Sequence, residues 1–279
     1  MDHATLRQHF YRQLTEQYLQ GELQSLYHWC VQEIEGWGRA EAYTRNENAV
    51  APASLQRWEE VIERLGKHEP VQYIFGKAYF HGLALSVDPS VLIPRPETEE
   101  LVAMVLKDHA ATRLRVLDVG TGSGCIALAL KNARKNWQVE GVDVSTAALA
   151  TARRNASELQ LDVAFREADL RDELDFTGYD VLISNPPYIP TGVEDSMDKS
   201  VLEFEPHLAL FAPKEDPHYF LRRVAEIGEK CGVSDVYLET HATEEETLVT
   251  NLKSAWSGSI AVKHDLAGRP RFLHLERNK

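Results

Sequence analysis

From about residue 114 onward, short apolar runs alternate with amphipathic helical segments. The runs at 115–119, 139–143, 163–168, 181–184 and 235–239 have the length and composition of buried strands. The segments at 126–134, 145–159, 217–230 and 244–255 are predicted helices. Strands separated by helices pair in parallel, and two last runs, 260–264 and 271–275, predict a closing antiparallel hairpin. The expected fold class is therefore α/β, with a Rossmann-like, mostly parallel sheet.

The first 70 residues have a helical period instead and predict a small N-terminal helical bundle. Three apolar stripes at helical spacing indicate its core: Leu6, Phe10, Leu14 and Tyr18; Leu23, Leu26, Cys30, Ile34 and Trp37; and Leu55, Trp58, Ile62 and Leu65. Residues 71–95 change to an alternating pattern and are interpreted as a β-hairpin linker. The predicted organisation is 1–70 as a docking domain for a protein partner, 71–95 as the linker and 96–279 as the domain that contains the sheet.

The composition of the 279 residues limits the kinds of partner and compartment. Hydrophobic residues make up 43% of the chain, enough for a sizeable core, and the formal net charge is −13 without a Lys/Arg run. An acidic chain is a poor match for a partner held mainly through phosphates, so no stable nucleic-acid complex is expected. The three cysteines and eleven histidines form no zinc or disulfide pattern, and no metal is expected. With no apolar run long enough to cross a bilayer, we expect no membrane association and a cytoplasmic location.

A glycine-rich turn follows the first predicted strand and predicts a nucleoside-bearing ligand. Gly120, Gly122 and Gly124, interleaved with Thr121 and Ser123, allow backbone amides to approach an anionic group at a helix start. Asp143 ends the next strand, where a carboxylate can accept both hydroxyls of a ribose.

The detailed spacing favours S-adenosylmethionine over a dinucleotide. The dinucleotide fingerprint requires glycine at position 125, which is Cys125 here. S-adenosylmethionine offers a ribose for Asp143 and a carboxylate for the turn amides. Asp169, after the third strand, is either an acceptor for the adenine amino group or a simple turn residue, and Leu170 is placed to pack on the ring.

The stretch Asn185-Pro186-Pro187-Tyr188 follows the fourth predicted strand and is suited to binding a planar NH2 group. The prolines remove backbone donors, so local carbonyls are left as acceptors, and Asn185 adds a side-chain carbonyl. Two acceptors can hold both hydrogens of an amide or amino nitrogen, while Tyr188 offers a flat face. In isolation the motif could be a surface turn.

The order of a doubly wound sheet reverses between its first and fourth strands, which makes them neighbours. The Gly120–Gly124 turn and Asn185 are therefore expected at one sheet edge. One site would hold a methyl donor and the other a nitrogen aligned with the methyl carbon. Alignment alone can recover about 7–11 kcal/mol of a barrier. No residue is identified as the final proton acceptor.

A second motif, Leu92-Ile93-Pro94-Arg95-Pro96-Glu97-Thr98-Glu99, leads into a helix predicted at 96–109. It is either a helix cap with solvated carboxylates or a buttress for the ligand pocket.

These motifs together resemble the bacterial N5-glutamine methyltransferases that modify class-1 peptide chain release factors. The resemblance also covers residues 69–74, 116–124 and 204–210. It implies a class I S-adenosylmethionine-dependent methyltransferase fold and cofactor binding by residues 120–124, Asp143 and Asn185, with a further contact at Leu170, where the family has an aromatic residue. It also implies that Asn185, Pro186, Pro187 and Tyr188 bind the glutamine of the Gly-Gly-Gln loop, with Asn185, Pro186 and Tyr188 as catalytic residues.

Two departures and two competing functions accompany this resemblance. The family's Gly-Gly turn before the fifth strand is Cys231-Gly232-Val233-Ser234 here, and the stretch from Asp195 to Ser200 has no close family pattern. Because Asn-Pro-Pro-Tyr is shared with DNA and RNA amino-methyltransferases, methylation of an exocyclic amine on nucleic acid is the alternative. A donor-binding sensor without turnover is a third hypothesis.

Overall fold

The computed structural model describes residues 1–109, 113–194, 197–241 and 245–278. Residues 195 and 196, and the predicted helix start at Glu244, lie outside these ranges. The chain divides into two compact units. The first comprises Met1–Gly76 with Asp198–Phe204, and the second comprises Lys77–Met197 with Glu205–Lys279.

The first unit is helical, as the three apolar stripes predicted. Its helices are α1 (His3–Leu14), α2 (Gln20–Glu35), α3 (Arg39–Thr44), α4 (Pro52–Gly66), α5 (Val71–Phe75) and, from the later segment, α9 (Lys199–Phe204). Phe10, Tyr27 and Trp58 are the aromatic centre of its core, with the rings of Tyr27 and Trp58 stacked at 5.5 Å. The Trp58 indole nitrogen donates to Glu35 at 2.9 Å, so the one polar atom of this buried ring has a partner.

The hairpin is shorter than the expected 71–95 linker. Residues 71–75 form helix α5 within the first unit, while strands β1 (Lys77–Phe80) and β2 (Leu83–Ser86) pair antiparallel in the second. Pro70 precedes α5, and Val71, Tyr73 and Ile74 are buried. Burial on a packed helical face therefore outweighs the weak alternation read from the sequence.

The second unit contains the alternating strands and helices expected from the sequence. Its remaining elements are α6 (Pro96–Asp108), β3 (Arg115–Val119), α7 (Cys125–Ala133), β4 (Gln138–Asp143), α8 (Thr146–Glu158), β5 (Ala164–Glu167), β6 (Val181–Ser184), β7 (Ile189–Pro190), α10 (His207–Leu210), β8 (Phe211–Ala212), α11 (Tyr219–Cys231), β9 (Asp235–Glu239), α12 (Glu245–Leu252), β10 (Ser259–His264) and β11 (Pro270–Glu276).

Seven strands form the central sheet in the order β10-β11-β9-β6-β3-β4-β5. The pairs among β9, β6, β3, β4 and β5 are parallel, and β11 pairs antiparallel with both β9 and β10. This confirms the mostly parallel sheet with a closing hairpin. The chain runs outward from β3 in both directions, so the topological switch point lies between β3 and β6.

Successive residues of the central strands serve two separate cores, one on each face of the sheet. Val116 of β3 packs in the core that contains α6, α7 and α8, whereas Leu117 packs in the core that contains α11 and α12. Both side chains are fully buried. A strand covered on both faces places apolar residues on both of them, which is why Val116 and Leu117 do not alternate with polar residues.

Within the described residues, no helix has the length and apolar character needed to cross a membrane. The same residues contain no group of three or more His, Cys, Asp or Glu side chains arranged to hold a metal ion.

Candidate active site

The two predicted sites lie at the carboxyl ends of adjacent strands. β3 and β6 pair in parallel, and the turn at Gly120 and the residue Asn185 follow them directly. The buried Ser184 hydroxyl donates to the Val119 carbonyl at 2.6 Å. This bond joins the two strand ends at the point where both chains leave the sheet.

Most backbone N–H groups of the glycine-rich turn are already bonded within the protein, so the turn gives the site its shape more than it offers free donors. Gly120 and Thr121 both donate their N–H to the Val142 carbonyl, and Gly124 donates to Thr121. Gly120 and Gly122 have φ of +75° and +54°, and a Cβ on either would enter open space. Glycine is favoured at both positions because a residue with a Cβ is strained at these positive φ values. The expectation that the turn amides receive a carboxylate directly is therefore not supported for residues 120, 121 and 124.

A buried carboxylate holds the turn from beneath. Asp118 accepts from the Thr121 hydroxyl at 2.5 Å and from the Ala127 N–H at 3.2 Å. Burial raises the pKa of Asp118 to about 7 despite these bonds. Thr121 and Ser123 are themselves buried. Although Thr121, Ser123 and Gly124 were predicted to bind cofactor, they do not line the cavity and instead shape the turn around it.

Asp143 connects this turn to the next strand end. Its carboxylate accepts from the Gly122 N–H and the Ser145 N–H, each at 2.9 Å. Burial raises the pKa of Asp143, and the backbone bonds oppose the shift. Each carboxylate oxygen has a second lone pair, so the side chain keeps the capacity to accept hydroxyl groups.

The predicted adenine contacts lie at the end of β5. The carboxylate of Asp169 accepts from the Arg171 N–H at 2.9 Å and pairs with its guanidinium at 2.6 Å, which lowers the Asp169 pKa. Those bonds fit the interpretation of Asp169 as a turn residue. Asp169 also lines the cavity, as an adenine contact would. Leu170 lines the cavity too, together with Phe220 from α11, which was not predicted.

One cavity connects these residues to the Asn-Pro-Pro-Tyr motif. Its lining includes Gly120, Gly122, Asp143, Asp169, Leu170, Asn185 and Pro187. Asn185 therefore lies beside the glycine turn with open space between them, which is the arrangement that the sequence predicted. Pro186 and Tyr188 are outside this lining.

Two contacts position the chain after Asn185: a strand pairing at Ile189 and a ring contact at Tyr188. β7 pairs with β8, so Ile189, directly after the motif, lies opposite Phe211. The Tyr188 ring stacks on His241, with centroids 6.2 Å apart and planes at 22°. Burial raises the pKa of Tyr188 to about 12, so its hydroxyl stays protonated at neutral pH.

The Asn185 side chain has a fixed partner from the second motif. Its amide nitrogen donates to the Thr98 hydroxyl at 3.1 Å, and Thr98 donates to Glu239 at 2.7 Å. Thr98 and Glu239 are 2% and 1% exposed. Burial raises the pKa of Glu239 to about 7.

The rest of the second motif braces the cavity wall. Arg95 pairs with the buried Glu205 at 2.5 Å, and Glu205 also accepts from the Ile93 N–H at 3.2 Å. Burial raises the pKa of Glu205 although Arg95 opposes the shift. Leu92 and Pro206, neighbours of this pair, both line the cavity. Of the two interpretations of the motif, the structure supports the buttress.

The sequence interpretation missed Thr98, Glu239 and Phe220 as individual residues. Thr98 carried a signal, because it lies within the motif considered as a buttress. Glu239 ends a strand that runs parallel to β6, a position where ligand-site residues occur. The Cys231-Gly232 departure leaves the local turn intact, since Gly232 has φ +72° at the end of α11.

Family models match two parts of the chain. Residues 5–76 match the PrmC N-terminal domain, and residues 97–202 match the Methyltransferase small domain. Among solved structures, the hMettl16 catalytic domain bound to an RNA hairpin is similar with a TM-score of 0.56 and 15% identity, covering 82% of this chain and 83% of that one. A Thermus thermophilus 16S rRNA N2 G1207 methyltransferase has a TM-score of 0.53 and 16% identity, covering 72% and 50%. At this identity the likeness shows the fold alone.

Sequence relatives are much more similar. The release factor glutamine methyltransferase of Bacteroides thetaiotaomicron is 38% identical over 249 residues, which cover 88% of this chain and 89% of the relative. The protein of the same name from Flavobacterium psychrophilum is 32% identical over 274 residues, 96% of each chain. Similarity at this level extends over both units. The chain therefore belongs to the release factor glutamine methyltransferase family.

Proposed function

We propose that this chain methylates the side-chain N5 nitrogen of the glutamine in the Gly-Gly-Gln loop of class-1 peptide chain release factors, with S-adenosylmethionine as donor. The observation that carries the proposal is the single cavity shared by Gly120, Gly122, Asp143 and Asn185. It joins a site suited to a nucleoside with a residue suited to an amide. A substrate from the translation machinery assigns the reaction to the cytoplasm.

The cavity residues fit this donor. Gly120 and Gly122 leave space that a Cβ would fill, and Asp143 keeps acceptor capacity for ribose hydroxyls. Leu170 and Phe220 offer apolar contact for a purine ring, with Asp169 beside them. When bound, S-adenosylmethionine supplies an electrophilic methyl group on a sulfonium. The family's aromatic contact at position 170 is leucine here, and Phe220 provides an aromatic side chain in the same cavity.

The chain's own part in the reaction is to orient a weak nucleophile. The lone pair of an amide nitrogen is delocalised into its carbonyl, so the nitrogen needs alignment and added electron density. The Asn185 side-chain oxygen, and the carbonyl of Pro186, are the proposed acceptors for the two N–H hydrogens. Pro187 and the Tyr188 ring, held by His241, are proposed to bound the planar amide. Acceptors already in place require no reorganisation as charge develops.

The test uses labelled S-adenosylmethionine with three acceptors: a class-1 release factor, the same factor with the loop glutamine replaced by alanine, and a mixture of DNA and ribosomal RNA. We expect label only in the unmodified release factor, and mass spectrometry should place one methyl group on the loop glutamine. Label in nucleic acid alone would overturn the proposal in favour of exocyclic-amine methylation. Donor binding without any transfer would favour the sensor hypothesis.

A further inference from the structure

Three polar groups from distant parts of the chain, the half-buried Asn185 and the buried Thr98 and Glu239, form a continuous hydrogen-bonded series at the site. The Asn185 nitrogen donates to Thr98 Oγ1, and Thr98 Oγ1 donates to Glu239 Oε2. Asn185 follows β6, Thr98 lies in the first turn of α6, and Glu239 ends β9. This Asn185–Thr98–Glu239 series is distinct from the groups proposed to touch donor or substrate, apart from Asn185 itself.

The direction of the series is set by donor and acceptor capacity. A hydroxyl has one hydrogen to donate, and an ionised carboxylate can only accept. Because Thr98 gives its hydrogen to Glu239, it can only accept from the side chain of Asn185. The NH2 end of the Asn185 amide must therefore face Thr98, and its oxygen is left at the other end.

We propose that Thr98 and Glu239 are positioning residues that fix the Asn185 amide with its oxygen toward the nitrogen to be methylated. The inference rests on the proposed function, because it assumes that a substrate NH2 group meets Asn185. The series then decides which end of the Asn185 amide the substrate encounters.

Such a device is needed because an Asn amide has two nearly equal orientations. The terminal torsion of asparagine is broad and roughly two-fold, so packing alone distinguishes its NH2 and oxygen ends poorly. In the reversed orientation the enzyme NH2 would face the substrate NH2, two donors without an acceptor between them. Only the orientation imposed by Thr98 gives the substrate nitrogen a second acceptor beside the proposed Pro186 carbonyl.

The charge of Glu239 controls the same direction. A protonated Glu239 would donate to Thr98, whose own hydrogen would then be free for the Asn185 oxygen, and the series would reverse. Burial raises the pKa of Glu239 to about 7. The titratable and charged groups around it are Arg95 and Glu97 at the start of α6, Cys125 at the start of α7, Tyr188 after β6 and Arg271 in β11. Arg95 and Arg271 favour the ionised form, whereas Glu97 disfavours it.

The first test compares Thr98→Val with Thr98→Ser. Valine keeps the shape of the side chain and removes the hydroxyl, whereas serine retains the hydroxyl. We expect Thr98→Val to lower kcat on the release factor by roughly 10- to 100-fold, as for loss of an oriented hydrogen bond at the reacting group. Thr98→Ser should recover most of kcat. The dissociation constant of S-adenosylmethionine should stay close to wild type in both variants.

A matched control separates positioning from general damage. Thr151 is also buried in the second unit, and its hydroxyl donates to a carboxylate, that of Asp88, at 3.1 Å. Thr151→Val removes a similar bond without touching Asn185. We expect it to lower the melting temperature about as much as Thr98→Val while leaving kcat near wild type.

NMR spectroscopy reports directly on the Asn185 side-chain amide in the whole chain, without donor or substrate. The side-chain 15N–1H2 resonances of Asn185, assigned by their loss in Asn185→Ala, should show slow solvent exchange in the wild type. Thr98→Val should shift them and accelerate exchange, and Thr151→Val should not. In the wild type, kcat should fall as pH drops below about 7, whereas Glu239→Gln should lack that limb, since a glutamine amide does not titrate in this range.

The outcomes separate the two proposals. If the wild type methylates the release factor but Thr98→Val has wild-type kcat, or if the Asn185 resonances are unchanged in Thr98→Val, the positioning role is wrong while the function stands. If Glu239→Gln keeps the wild-type limb near pH 7, the role assigned to its charge is wrong. If the wild type methylates no release factor, the proposed function fails even though the Asn185 resonances respond to Thr98→Val.

Discussion

The two halves of the sheet edge are built differently. Around Gly122 and Asp143, backbone N–H groups meet a carboxylate within one strand–helix–strand unit. Around Asn185, side chain meets side chain, and Thr98 and Glu239 come from segments 141 residues apart. The first half is held mainly by hydrogen bonds that involve backbone N–H groups. The second depends on three side chains at once. We therefore expect substitutions there to cause larger and more specific losses of activity.

The comparison is tested most severely by Asn185→Ala, which removes the proposed acceptor while leaving the glycine turn in place. We expect kcat to fall by roughly 100- to 1000-fold, the usual cost of losing one preorganised hydrogen-bond group for the reacting atoms. Steady-state methylation of the release factor measures it, with the exposed Asn132→Ala as control. Unchanged methyl transfer would remove Asn185 from the reaction.

Asp143→Asn tests the other half. An asparagine must turn its NH2 toward either Gly122 or Ser145, so one backbone N–H loses its acceptor and the ribose loses part of its site. We expect the affinity for S-adenosylmethionine to fall roughly 10- to 100-fold, about 1.4 kcal/mol for each tenfold. Calorimetry measures this, with the exposed Asp162→Asn as control. A large loss of kcat at saturating donor, with affinity unchanged, would contradict the division between the two halves.

The buried charge of Glu239, behind Asn185, should make the protein less stable than an uncharged side chain at this position would. Burial raises the pKa of Glu239 from 4.5 to about 7, so the folded state binds this proton more tightly than the unfolded state does. The stabilisation is complete below pH 4.5 and is lost as pH rises toward 7. At pH 8 Glu239→Gln should therefore unfold with a free energy about 1–3 kcal/mol higher than wild type.

Thermal and denaturant unfolding at pH 8 and pH 5 measure this effect, and the gain should shrink at the lower pH. A purely structural Glu239 would make the variant less stable at both pH values. Glu97→Gln, a change to a neighbouring carboxylate whose side chain is 35% exposed, is the control and should change the free energy of unfolding at pH 8 less than Glu239→Gln does.

The smallest expected effects concern Leu170 and Phe220, the apolar residues proposed to contact the purine ring of the cofactor. Phe220→Ala should lower the affinity for S-adenosylmethionine about 5- to 10-fold, because a ring contact is lost. Leu170→Phe should change it by about 2- to 3-fold, since Phe220 already supplies an aromatic side chain. Equilibrium binding measures both, and Leu266→Ala, at a position 94% exposed, should have no effect. If Leu170→Phe strengthened binding more than Phe220→Ala weakened it, Phe220 would not be the ring's main contact.

Much of the fold and half of the site could be predicted because they depend on local patterns. Strand Val181–Ser184 is apolar at its first three positions and buried at all four, so the sequence identified it clearly as a buried strand. Gly120, Asp143 and Asn185 sit at strand ends, and parallel topology brings strand ends together whatever the packing. Helix α5 was missed since five residues carry too little periodicity to distinguish it from a strand.

By itself, the sequence determined the parallel sheet, the neighbouring positions of the glycine turn and Asn185, and the family, because each depends on the order of strands and on contiguous motifs. Only the tertiary structure decided that segment 198–204 joins the helical unit, that the amides of Gly120 and Thr121 bond to Val142 rather than stay free, and that Asn185 bonds to Thr98 and Thr98 to Glu239. Those contacts join residues far apart in the chain. Periodicity and motifs do not identify the bonding partners, because these contacts exist only once both faces of the sheet are packed.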